Sequence, residues 1–271
     1  MIMSGSATGT APKLSARNLA MTFDDGTTRV PVIGDVSFDL HAGEIVAIVG
    51  PSGCGKTTML NVISGLLAPT GGEVAWNVEM AHRRPRIGYM LQKDLLFPWR
   101  TAKANVMLGM EIRRNTGAEA HNKARALLDQ LGLHGFADHY PSTLSGGMRQ
   151  RVALARTLIH DPEVLLFDEP FAALDFQTKL LIESDTVRLV RSEGRALLLI
   201  THDIEEAVSM ADRVIVLTGR PTRIRSTYTI DLHPGAAGDR NDMIAAREAP
   251  GFSAYVKQIW RDLDVGRERA A

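Results

Sequence analysis

The chain has 271 residues, 45% hydrophobic and 23% charged, with Lys+Arg and Asp+Glu both at 31. This is an ordinary composition for a globular protein of one large or two small domains, and it excludes a disordered or collagen-like chain. The zero net charge argues against a dedicated nucleic-acid binder, which carries a basic excess, and the single Cys54 rules out an internal disulfide and fits a reducing compartment.

Residues 1–12 are small and polar and are expected to be a mobile tail. They lack the basic start and apolar stretch of a secretory signal. No apolar run approaches the roughly 20 residues that a membrane-spanning helix needs. Ile45–Val49 is a short β-branched run, predicted as a fully buried strand of a parallel sheet. Directly after it, Gly50-Pro51-Ser52-Gly53-Cys54-Gly55-Lys56-Thr57 matches G-x-x-x-x-G-K-[ST], and Thr58 follows. Glycines let the backbone bend so that successive N–H groups face a triphosphate. The N-terminus of the following helix adds favourable dipole charge. Lys56 can reach the β and γ phosphates, and the Thr57 hydroxyl can ligate Mg²⁺. That helix is read from Met59, Leu60, Ile63, Leu66 and Leu67.

Gly72–Arg86 is short and irregular. From about 98 to 156 the pattern is helical, with no convincing buried strand, and reads as a helical insertion. Within it, Ala120, Ala124, Leu127, Leu128 and Leu131 share a helix face. Thr116 and Glu119 suggest a capping box at its start, and Gly132 a stop at its end. Ser145 suits an N-cap for a helix carrying Met148, Val152, Ala155 and Ile159 on one face. Val164–Phe167 is a second buried strand and ends in Asp168 and Glu169, at the sheet edge where ligands of open α/β sheets bind. Asp168 suits Mg²⁺, and Glu169 suits a general base that orients water for attack on a γ-phosphate. Ala196–Ile200 and Arg213–Leu217 are two further strands. Between them, Ile204, Ala207, Val208 and Ala211 mark a helix after His202. Strands alternating with helices make an α/β core. Phe252, Val256, Ile259 and Leu263 predict a terminal helix docked on the surface within residues 222–271.

Leu144-Ser145-Gly146-Gly147-Met148-Arg149-Gln150-Arg151, between the phosphate loop and the acidic strand, resembles the signature sequence of ABC-type ATPases. Gln92 resembles that family's Q-loop glutamine, Phe171-Ala-Ala-Leu174-Asp175 its D-loop, and His202 its switch histidine. The resemblance spans roughly residues 14–220. It implies a P-loop NTPase core with an antiparallel β-subdomain and an inserted helical subdomain, together forming an ATPase domain over 13–221. It further implies two such domains packed head to tail around two ATP molecules. Ser145, Gly146, Gly147 and Asp175 would then face the nucleotide held by the other copy, with Gly146 and Gly147 leaving room for close approach. Gln92 becomes a Mg²⁺ contact and a link to the partner's movement, and His202 a γ-phosphate contact. Phe23 stands where the family usually has a tyrosine stacked on adenine; it keeps the ring and loses the hydroxyl.

Leu95-Leu96-Phe97-Pro-Trp99 and the C-terminal aromatic pattern are similar to importer ATPases of the nitrate, sulfonate and taurine group. The resemblance implies a peripheral subunit on the cytoplasmic face of the inner membrane. Its partners would be multi-spanning permease subunits, a second ATPase subunit and, indirectly, an external solute-binding protein; no nucleic acid is expected. Leu95, Leu96, Phe97 and Trp99 either line a groove for the permease or pack inside the helical subdomain. Two other readings are a soluble ABC ATPase acting on nucleic acid or ribosomes and a non-catalytic ATP-binding module. The first conflicts with the neutral charge and the single ATPase domain, the second with intact Lys56, Glu169 and His202.

Overall fold

The computed structural model describes residues 11–77, 86–172, 174–232 and 241–268, with side chains as far as Leu263. Four strands are apolar because both sheet faces are covered. These are β3 (Ile45–Val49), β6 (Val164–Asp168), β7 (Ala196–Ile200) and β8 (Arg213–Leu217). Alternation along each strand divides the core. Ile45, Ala47, Val49, Leu165, Phe167, Leu197, Leu199, Val214 and Val216 face one cluster. Val46, Ile48, Val164, Leu166, Leu198, Ile200, Ile215 and Leu217 face the other.

β3 lies at the centre, parallel to β7 and β8, and β6 continues the parallel run to β5 (Ile87–Met90). On the other flank, β1 (Leu14–Asp24) pairs antiparallel with β2 (Arg29–Leu40) and with β4 (Gly71–Trp76). The irregular 72–86 segment thus begins with a strand, and its residues 78–85 lie outside those described. β9 (Thr222–Thr229) joins the flanks, antiparallel to β8 and parallel to β2, in the order β4-β1-β2-β9-β8-β3-β7-β6-β5. The eight residues past the expected boundary at 221 are thus a strand that bridges the sheet. Arg223 and Arg225 interrupt the apolar pattern of β9, which hides it in sequence.

One cluster side is covered by α1 (Lys56–Ile63) and the antiparallel strands. The other is covered by α2 (Ala102–Ile112), α3 (Ala118–Gln130), α4 (Gly146–Leu158), α5 (Phe176–Ser192), α6 (Ile204–Met210), α7 (Met243–Glu248) and α8 (Phe252–Glu268). No strand occurs among the described residues between 98 and 156. The capping-box expectation at Thr116 is corrected. Gly117 is the N-cap of α3, no side chain caps it, and Glu119 sits in the first turn, where its charge still meets the helix dipole. Gly132, at φ +71°, ends the helix as expected. In α8, Phe252 and Ile259 are buried and Val256 and Leu263 pack partly against the core. The tail over residues 1–10 falls outside the described residues.

Candidate functional site

The phosphate loop runs from the C-terminal end of β3 into α1. Gly55 adopts φ +115°, and a Cβ there would lie 2.5 Å from Cγ1 of Val32, so glycine is required twice over. Lys56 is buried, and its ammonium donates to the carbonyls of Gly50 (2.8 Å) and Pro51 (3.0 Å). The Cys54 side chain is in the core, so that residue offers the loop its backbone alone; its carbonyl accepts from the Thr222 hydroxyl of β9. Ser52, Gly53, Gly55, Lys56, Thr57 and Thr58 line a cleft of about 460 Å³, closed on its other sides by Gln92, Glu169, His202 and Arg220.

At the base of the cleft the Thr57 hydroxyl donates to Oδ2 of Asp168 at 2.8 Å. Burial raises the Asp168 carboxyl above its ordinary range and Glu169 adds to this, while the Thr57 hydrogen bond and Lys56 oppose it. Thr57 and Asp168 thus offer two hard oxygens side by side, the donor type that would hold Mg²⁺. Among the described residues no group of three or more His, Cys, Asp or Glu can hold a metal. A divalent ion here would need further oxygens from a phosphate chain and water.

Beyond Asp168 the chain turns sharply. Glu169 takes φ +49°, a left-handed conformation that costs a non-glycine residue about 1–2 kcal/mol. Its N–H is held by the Ile200 carbonyl at the end of β7 (2.8 Å). The turn aims the carboxylate into the cleft, where Oε2 meets Nδ1 of His202 (3.0 Å) and accepts from Nε2 of Gln92 (3.3 Å). Two residues from separate loops thus converge on one oxygen of a third.

The loop that carries His202 is fixed from behind. Asp203 caps α6 through the N–H groups of Glu205 and Glu206. Lys179 of α5 donates to Asp203 (2.7 Å) and pairs with Glu206 (2.6 Å). Arg247 of α7 reaches the buried Glu183 (3.3 Å). Burial pushes the Glu183 carboxyl up to about 8, helped by Glu206 and opposed by Arg247 and Lys179. This network joins α5, α6 and α7.

The signature segment does not line the phosphate cleft of its own chain. Ser145 is the N-cap of α4 and accepts from the Met148 N–H (3.2 Å). The two glycines after it differ. A Cβ on Gly146 would meet nothing closer than Arg149 Nη2 at 3.8 Å, which leaves that N-terminus open. A Cβ on Gly147 would lie 2.6 Å from Cγ2 of Thr178, so Gly147 serves close packing of α4 on α5. Gly147→Ala is expected to destabilise the protein by about 1–3 kcal/mol, the usual range for overpacking. Thr178→Ser in the same chain should restore most of that. Denaturant unfolding of the single and double variants measures it; an unaltered midpoint in Gly147→Ala would contradict the packing role. Asp175 caps α5, accepting from the Thr178 N–H (3.0 Å), and that contact leads those holding its carboxyl below the usual range.

Phe23 is on β1, 44% exposed and paired with Val30, so its ring is available for stacking. Among the four apolar residues after Gln92, Leu96 is 9% exposed and belongs to the core, which corrects its placement on a docking surface. Trp99 is 71% exposed, Leu95 is exposed at φ +45°, and the Phe97 and Trp99 rings lie 5.2 Å apart. Arg156 of α4 donates to the carbonyls of Asp94 (2.5 Å) and Leu95 (2.8 Å), and Arg149 to the Asp94 carboxylate (3.0 Å). The exposed apolar loop is thereby tied to the helix that begins at the signature. Sequence reasoning missed Arg220. Its signal is a basic residue in a loop just past the C-terminal end of a strand, β8, of the parallel sheet.

Residues 33–172 match the family described as ABC transporter. The taurine import ATP-binding protein TauB of Roseobacter denitrificans is 38% identical over 270 residues, covering 95% of this chain and 99% of its own. The ABC transporter ATP-binding protein YtlC of Bacillus subtilis is 41% identical over 237 residues, covering 87% and 90%. Among solved structures, the dimeric post-hydrolysis state of the ATP-binding cassette MJ0796 with ADP and Pi aligns with a TM-score of 0.70 at 33% identity. It covers 80% of this chain and 99% of that one.

Proposed function

This chain belongs to the ABC transporter family as an ATP-hydrolysing subunit, and we propose that it energises a membrane importer for a small anion of the nitrate, sulfonate or taurine kind. The observation that carries the hydrolytic part is the convergence of Gln92 and His202 on Glu169, beside the Thr57–Asp168 pair. Lys56 and the loop N–H groups bind the triphosphate. Thr57 and Asp168 would hold Mg²⁺, which neutralises phosphate charge when bound. Glu169, fixed by His202 and Gln92, takes the proton of the attacking water.

A single copy keeps Ser145 and Gly146 away from its own phosphate cleft, which supports a head-to-tail dimer. In that dimer the open N-terminus of α4 meets the γ-phosphate bound by the partner copy. ATP binding closes the pair and hydrolysis resets it. No described helix is long and apolar enough to cross a membrane, and the importer relatives point to a membrane permease as partner. It would dock on Phe97 and Trp99 at the cytoplasmic face, fed by an external solute-binding protein. The similarity to taurine import ATP-binding proteins over nearly the whole chain supports the solute class.

Deleting the chain from its source cells is expected to abolish energy-dependent uptake of at least one of radiolabelled taurine, an alkanesulfonate or nitrate. Wild-type chain restores uptake and Glu169→Gln does not. Unchanged uptake of all three probes overturns the solute class.

A further inference from the structure

Helix α8 is held in place by more than its apolar face. Asp262 accepts from three neighbouring residues of β9. Tyr228 donates its hydroxyl to Oδ2 at 2.7 Å, Ser226 donates to the same oxygen, and Arg225 donates to the Asp262 carbonyl. Ile259 of the same helix is fully buried in the core. A helix fixed this firmly nevertheless leaves Trp260, on the neighbouring face, 58% exposed. Packing of α8 alone does not account for an exposed tryptophan, since burying a large aromatic is among the strongest apolar gains available.

The surroundings of Trp260 indicate its use. Trp260 and Leu263 form one wall of a cleft of about 310 Å³, whose other walls are Pro51, Ser52, His202 and Ile204. Ser52 and His202 also line the phosphate cleft, so the two clefts adjoin. The second is mainly apolar where the first is polar, and its floor is the outer side of the phosphate loop.

We propose that this cleft is part of the surface covered by a second copy of this chain when ATP closes the dimer, and that Trp260 of the C-terminal helix is an anchor of that interface. The inference rests on the head-to-tail reading above. Three observations select a second copy as occupant. The phosphate cleft lacks the signature residues, which the head-to-tail reading supplies from the other copy. The apolar cleft adjoins that site through Ser52 and His202. The aligned ATP-binding cassette with ADP and Pi is dimeric. In a two-fold pair the contact occurs twice, once at each cleft. The C-terminal helix then belongs to the ATP-driven closing surface, and its seating on β9 sets the position of the anchor.

The test uses the full chain in a Glu169→Gln background, which holds ATP without turnover. Sedimentation velocity with ATP and Mg²⁺ gives the dimer dissociation constant with and without Trp260→Glu. The expected result is a rise of about tenfold or more, the scale of an interface anchor, with unchanged melting temperature and unchanged affinity of the monomer for a fluorescent ATP analogue. In a second measurement Trp76 and Trp99 are replaced by phenylalanine, and acrylamide quenching of the remaining Trp260 should fall on addition of ATP. An equal dissociation constant, or quenching that ATP leaves unaltered in a sample shown to be dimeric, overturns the role of Trp260 alone. A parent that stays monomeric with ATP at every concentration overturns the dimer reading and this inference with it.

Discussion

Glu169→Gln is expected to bind ATP as the wild type does and to lose turnover by about 10²–10⁴-fold, the range that a positioned general base contributes. Glutamine keeps the size of the side chain and an oxygen for Nδ1 of His202 and Nε2 of Gln92, which now meet Glu169 at 3.0 and 3.3 Å. It tolerates the left-handed backbone as well as glutamate does, so the turn beyond β6 survives. What disappears is the ability to take a proton from water. Phosphate release measures the loss and equilibrium nucleotide binding the retained affinity. Turnover at the wild-type rate would remove Glu169 from its role.

Lys56→Ala has the opposite signature. The ammonium is buried and bonded to the carbonyls of Gly50 and Pro51 at 2.8 and 3.0 Å. It is therefore already placed within the loop, and its charge faces the cleft at little further entropic cost. Charged hydrogen bonds are worth about 1.5–3 kcal/mol, so ATP affinity should fall by about 10–150-fold. The loop also loses two internal bonds. Titration calorimetry with a non-hydrolysable ATP analogue checks this, and an unchanged dissociation constant would contradict the phosphate role. Together the two variants separate binding from turnover.

The parts of this site that were legible in sequence are those whose spacing is their geometry. In the phosphate loop, eight consecutive residues carry the strand end, the turn and the helix start. The strands β3, β6, β7 and β8 were equally visible, because a strand covered on both faces must be apolar throughout. β9 was not, because its arginines reach solvent and the neighbouring Asp262 and leave no continuous apolar run. At α3 the sequence offers Thr116 as a cap and the backbone uses Gly117, one residue on, which no local rule distinguishes. Leu96 and Trp99 are alike in pattern; only the fold turns the first inward and the second out. Gly146 and Gly147 are alike in sequence too, and Thr178, from a helix 31 residues on, separates them. The convergence on Glu169 joins residues 77 and 33 positions apart. Family resemblance ordered those residues along the chain, while the contacts among them come from the parallel sheet that brings three loops to one edge.

The chain is expected to work on a membrane permease through the apolar surface beside Gln92. The most direct measurement is affinity purification of the tagged chain from detergent-solubilised membranes of its source, with wild type and Trp99→Glu compared by mass spectrometry. Trp99 is 71% exposed, so the substitution should leave folding and ATP binding intact. Recovery of a multi-spanning protein with the wild type, lost with Trp99→Glu, is the expected result. A wild-type chain recovered without any membrane protein, in company with ribosomes or nucleic acid, would contradict it.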